Sequence, residues 1–185
     1  MAKVSQILLG SLITLASLVV PVPEVKADTH EEHQELWYTL QEVGIDTRVN
    51  MTGLCDDGET DGAYFYMRST LVVCQDNANT FGAKEVGWTP NDYDTLRHEA
   101  HHVVQDCLAG GLADGESALL FNDFDELKEF VHSILTEEQV SGIISNYRES
   151  GAPDDVILRE LEAFAVAAGV SAPNIAKAVS EVCGV

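Results

Sequence analysis

The chain has 185 residues, enough for one domain of ordinary size, and at 45% hydrophobic residues it can bury a core, which excludes disorder as its default state. Its 10 Lys and Arg stand against 31 Asp and Glu, a net charge of -21. That field repels phosphate backbones and anionic lipid surfaces, so nucleic-acid binding and stable membrane association are not expected, while solubility and cationic partners are favoured.

Residues 1–27 read as an export signal outside the fold. Lys3 supplies a positive start, Ile7 to Val20 is an apolar run, and Pro21 and Pro23 break it before Ala27, a small residue preceding a cut at Asp28. The run falls short of the roughly 20 apolar residues that a bilayer span needs, although an uncleaved anchor is the alternative reading. The expected location is secreted or periplasmic. Residues 28–185 read as a single domain, since no repeat, low-complexity tract or long linker divides them.

Within that domain, residues 30 to 43 carry Leu36, Trp37, Leu40 and Val43 at helical spacing, and Gly44 is a natural stop. A turn-rich acidic stretch from Cys55 to Gly62 follows. It resembles the first half of a calcium loop but has Arg68 where a bidentate glutamate is needed. Ala63–Met67 and Thr70–Cys74, separated by Arg68-Ser69, read as a short hairpin. Thr89 as cap, Pro90 in the first position and Asp92 in the first turn predict a helix from Pro90 to Ala109, stopped by Gly110-Gly111. Asp125–Leu135, Glu137–Tyr147, Asp154–Ala168 and Pro173–Val182 complete a mostly helical C-terminal half. The fold class is therefore α+β, a small β-hairpin or sheet beside a mostly helical body.

All four cysteines lie behind the export signal, and an even count there reads as two disulfides. Of three possible pairings we favour Cys55–Cys74, closing the strand-rich segment, and Cys107–Cys183, tying the capped helix to the chain end. The rival, a thiolate zinc site, lacks C-x-x-C spacing. Asn50-Met51-Thr52 is an N-glycosylation sequon, and His30 and His33 read as solvated residues at a helix start.

The capped helix carries His98-Glu99-Ala100-His101-His102. Residues four apart share a helix face, so His98 and His102 can both offer an imidazole nitrogen to one metal ion. Glu99 sits about 100° round the helix and reaches the open coordination position. There a carboxylate can take a proton from water and deliver it to a leaving amine. His101 could pair with His98 at i,i+3, but the i,i+4 pair gives Glu99 a role. A catalytic zinc needs a third ligand, and His132 stands alone on an amphipathic segment. On the 154–168 helix the expected buried stripe is Ile157, Leu161, Phe164 and Ala168, with two glutamates on opposite flanks. Glu160 shares its flank with the small residues Ala163 and Ala167, which permit close helix approach. Glu162 lies beside bulkier Leu158 and Val166. Glu160 is thus the preferred metal ligand, Glu162 the close alternative, and two surface glutamates the bland reading.

On these residues the chain resembles the gluzincin branch of zinc metallopeptidases, which pair H-E-x-x-H with a downstream helical glutamate, often in an E-x-E-A pattern. Glu160-Leu161-Glu162-Ala163-Phe164-Ala165 is similar to that pattern, and the first glutamate would be the ligand. The match covers about a tenth of the chain and departs at Phe164, where related patterns carry Asp or Asn to orient a histidine; Gln105 or Asp106 are the substitutes. The resemblance implies a zincin-like metallohydrolase domain over 28–185, Zn2+ as cofactor, and a peptide or protein substrate lying along the edge of the hairpin. Tyr64, Tyr66 and Tyr93 are the candidate oxyanion donors. The expected function is an exported zinc metallopeptidase with His98, His102 and Glu160 as ligands and Glu99 as general base. The alternative is a secreted, disulfide-stabilised binding or inhibitor-like protein whose H-E-x-x-H is not catalytic.

Overall fold

A computed structural model of the protein describes residues 28–56, 58–78 and 84–184. The expected export signal over residues 1–27, and with it Asp57 of the calcium-like loop, falls outside the described residues. Among those residues the chain is α+β, with six helices and one three-stranded sheet: α1 His30–Glu42, β1 Asp46–Val49, β2 Gly62–Phe65, β3 Thr70–Val73, α2 Pro90–Ala109, α3 Phe124–Ile134, α4 Glu137–Glu149, α5 Asp154–Gly169 and α6 Ala172–Cys183. No described helix is long and apolar enough to cross a membrane.

The hairpin forms as expected. β2 and β3 pair antiparallel, with Ala63 opposite Val72, and a 3-10 turn over Tyr66–Arg68 joins them through Ser69 in the left-handed region. β1 adds in parallel to the other side of β3, so the order is β1-β3-β2 and β2 is an edge. Central β3 (Thr70-Leu71-Val72-Val73) is buried on both faces, while β1 alternates exposed and half-buried residues.

Two cores result. Leu36 and Leu40 of α1, Leu71 and Val73 of β3, Leu96, Val103 and Val104 of α2, and Ile175 and Val179 of α6 form the first. Leu127, Val131 and Leu135 join Ile157, Leu161 and Ala165 of α5 in the second, which α4 also covers. Helix α5 contributes to both, since its Val166 belongs to the first core. Burial on two sides overturns the single-stripe expectation for α5: Glu162 is fully buried, whereas Phe164 is 36% exposed and Ala168 is exposed.

Both disulfides form in the favoured pairing, Cys55–Cys74 and Cys107–Cys183, with Cα–Cα distances of 5.3 and 5.2 Å. The second joins residues 76 apart, pinning the last turn of α2 to α6. In the chain-entropy account such a loop closure contributes about 4 kcal/mol.

Two smaller expectations change. Asn50 is buried and its amide exchanges hydrogen bonds with Gln75, donating to Oε1 at 3.0 Å and accepting from N at 2.8 Å, so the sequon asparagine faces inward. His33 is 2% exposed rather than solvated. Its Nδ1 donates to the Thr29 carbonyl at 2.8 Å and its Nε2 accepts from Arg97 Nη1 at 2.8 Å, with burial as the chief cause holding the imidazole below its ordinary pKa.

Candidate metal centre

The phase of α2 is fixed at its start. Thr89 Oγ1 accepts from the Asp92 amide at 3.1 Å, and Asp92 Oδ2 accepts from the Thr89 amide at 2.7 Å, a reciprocal cap that satisfies two otherwise orphaned donors. Asp92 is fully buried and also accepts from the Asp76 amide at 2.9 Å, anchoring the helix to the segment after β3. Eight residues further on, this phase turns His98, Glu99 and His102 toward β2 and α5.

His98 Nε2 and His102 Nε2 lie 3.1 Å apart. Glu160 Oε2, from the facing side of α5, lies 3.2 Å from the first and 3.5 Å from the second. Ligand atoms about 2.0–2.1 Å from a tetrahedral zinc are separated by about 3.3 Å, so these three atoms form the base of such a tetrahedron with its fourth corner open. Among the described residues this is the one group of three or more His, Cys, Asp or Glu side chains whose ligating atoms converge, all within 4.8 Å of one another. The donor set, two imidazoles and one carboxylate, suits zinc. Ala163 of α5 is fully buried, and the Ala167 carbonyl accepts from Arg97 Nε at 2.8 Å, tying α5 directly to α2.

Charge is concentrated in this nest. Burial by itself would raise Glu160, but hydrogen bonds and charge from His102 and His98 hold it well below the usual carboxylate range. Burial would likewise lower His102, and its bond to Glu160, the Glu99 and Glu160 charges and Gln105 outweigh this, raising it to about 9. A cation at the centre would satisfy both nitrogens and the carboxylate oxygen without a shared proton.

Glu99 is 7% exposed, and burial raises its carboxyl above the ordinary value despite the neighbouring His98 and His102. The Tyr64 main chain donates to it. Strand β2 can lie this close because residue 62 is glycine. A Cβ there would stand 2.6 Å from Thr95 Cγ2, 2.8 Å from the Val72 carbonyl and 3.3 Å from Glu99 Cγ.

Glu162 is not beside Glu160 at the cluster. It is fully buried and accepts from His101 Nε2 at 2.9 Å, Gln105 Nε2 at 2.8 Å and the amides of Leu120 and Phe121 at 3.2 and 3.1 Å. Burial would raise its pKa, but these donors hold it below the ordinary range, while burial lowers His101. The pair is therefore a neutral imidazole donating to an ionised carboxylate. Of the two residues expected to orient a histidine, Gln105 meets His102 Nδ1 through Oε1 at 2.8 Å, whereas Asp106 accepts from Tyr64 Oη at 2.5 Å. His98 is held by packing: its ring lies 4.4 Å from that of Phe164, and its buried Nδ1 has no hydrogen-bond partner among the described residues.

The three tyrosines named from sequence separate. Tyr64 is committed to Asp106, and Tyr93 stacks on His33 and Trp88. Only Tyr66 reaches the cluster, with Oη 3.1 Å from His102 Nδ1, behind the ligating nitrogen. A fourth tyrosine, Tyr147 of α4, also reaches the cluster, and its hydroxyl donates to Glu160 Oε2 at 2.7 Å. Sequence reading missed it, because nothing in its spacing links α4 to the H-E-x-x-H helix. His132 is exposed on α3 and takes no part.

No family model, curated protein or solved structure matches the chain.

Proposed function

We propose that this chain is an exported zinc-dependent hydrolase, a metallopeptidase acting on peptide or protein substrates. One observation carries the reading: His98 Nε2, His102 Nε2 and Glu160 Oε2 form a triangle with sides of 3.1, 3.2 and 3.5 Å. A buried carboxylate, Glu99, follows His98 directly. Zinc bound by these three residues would supply the positive charge that polarises a carbonyl group and acidifies water.

The chain's own residues account for the remaining chemistry. Glu99 accepts a proton from the attacking water and returns it to the leaving amine. Burial raises its proton affinity toward the range a general base needs at neutral pH. The Tyr147 hydroxyl, which donates to Glu160 Oε2 at 2.7 Å, is the donor nearest the triangle that could turn to an oxyanion forming there. The edge strand β2, packed against α2 at Gly62, offers main-chain groups to an extended peptide. The net charge of -21 favours cationic peptides. Two disulfides and the signal-like residues 1–27 support export, to the cell exterior or the periplasm.

The test compares zinc content and cleavage of an unbiased peptide pool. Glu99→Gln should keep zinc and lose at least ~10²-fold in hydrolysis, the low end for a lost general base. Glu160→Gln should lose zinc. A Glu99→Gln chain with full activity contradicts the mechanism.

A further inference from the structure

Gln105 is fully buried and sits between the candidate metal centre and Glu162. Both protons of its Nε2 are spent, one on Glu162 Oε2 at 2.8 Å and one on the Arg159 carbonyl at 3.1 Å. The amide therefore fits one way round only, with Oε1 facing His102 Nδ1 at 2.8 Å. Turned over, it would set a carbonyl oxygen against a buried carboxylate and against a second carbonyl, each an unpaired acceptor contact in a site without solvent. A carbonyl oxygen can only accept, so His102 Nδ1 carries a ring proton and Nε2 is the nitrogen left facing His98 Nε2 and Glu160 Oε2, free to bind a metal once its own proton is displaced.

The geometry points to Gln105, locked by Glu162, as the positioning residue that selects Nε2 of His102 as the metal-ligating nitrogen. This rests on the proposed metal site and adds what orients one of its two histidines. The two histidines are held by different physics: His98 by the Phe164 ring at 4.4 Å, His102 by a hydrogen-bonded chain crossing from α5 to α2. Glu162 also accepts the amides of Leu120 and Phe121, so the loop between α2 and α3 is tied to the same carboxylate. That second attachment separates a positioning role for Gln105 from a merely structural one.

The experiment measures the zinc dissociation constant by competition with a chromophoric chelator, and hydrogen exchange at the Leu120 and Phe121 amides. The proteins are the wild type and Gln105→Leu, and the ring nitrogens of His102 are also followed by nitrogen-15 NMR in the zinc-loaded wild type. Gln105→Leu should bind zinc about 10–100-fold more weakly, the usual cost of losing a partner behind a metal-bound histidine. The two amides should stay protected, since Glu162 is intact. In the wild type, Nδ1 of His102 should carry the proton and Nε2 should show the shift of a metal-bound nitrogen. Equal affinity of Gln105→Leu and wild type, or collapse of loop protection in Gln105→Leu, overturns the assignment. So does a wild type in which zinc sits on Nδ1. Should Gln105→Leu not fold, the nitrogen-15 spectrum decides alone: zinc on Nε2 with a protonated Nδ1 supports the assignment, and zinc on Nδ1 overturns it. A wild-type chain that binds no zinc overturns the metal site itself, and is read before any variant.

Discussion

Glu162 is charged and fully buried, which is tolerable only because four protein donors replace water around it. The assumed stripe of Ile157, Leu161, Phe164 and Ala168 made it read as a flank residue, and no spacing rule could reveal donors arriving from Leu120, Phe121, His101 and Gln105. Glu160 was legible for a simpler reason, since Ala163 and Ala167 mark the face that lets α5 approach α2. Tyr147 was not legible at all, yet its hydroxyl lies 2.7 Å from Glu160 Oε2. Burial and the Glu160 charge raise its pKa, so it remains a donor across the physiological range. Tyr147→Phe should therefore retain zinc while its kcat falls about 10²-fold, the scale for a lost oxyanion donor. Unchanged kcat would remove Tyr147 from the mechanism.

Helix α2 was readable end to end because its boundaries rest on local chemistry: Thr89, Pro90 and Asp92 at the start, Gly110 at the stop. The remaining helices also follow their expected spans to within one or two residues. Strand β1 was missed, since Asp46-Thr47-Arg48-Val49 has neither an apolar run nor clear alternation and forms only by pairing with buried β3. The expected stripe on α5 failed because periodicity assumes one buried face, and this helix has two. Strand β2 shows how an element positions the site. Gly62→Ala would drive a methyl group into Thr95 and the Val72 carbonyl, one of them backbone that cannot swing aside. The variant should be less stable by about 1–3 kcal/mol in denaturant unfolding. Because Glu99 Cγ is the next nearest atom, activity should drop while zinc content holds. A Gly62→Ala protein with wild-type stability and turnover would show that β2 is free to shift.

At the scale of the molecule, the candidate metal centre lies on the seam between two cores. Helix α2 belongs to the first, α5 to both, and the ligand triangle bridges them. Such a position lets two independently packed units hold the ligands in fixed register before any ion arrives, which is what affinity for zinc requires. The Cys107–Cys183 bond secures the far end of α2 to α6 and so stiffens the same frame. The net charge of -21 gives the molecule a field that favours cations and cationic chains. Zinc K-edge absorption spectroscopy on the reconstituted, purified protein tests the central claim most directly. The account predicts one zinc per chain with nitrogen and oxygen ligands at about 2.0–2.1 Å, two of them with the outer-shell scattering of imidazole. A protein that takes up no zinc, or a zinc bound by sulfur at about 2.3 Å, would contradict it.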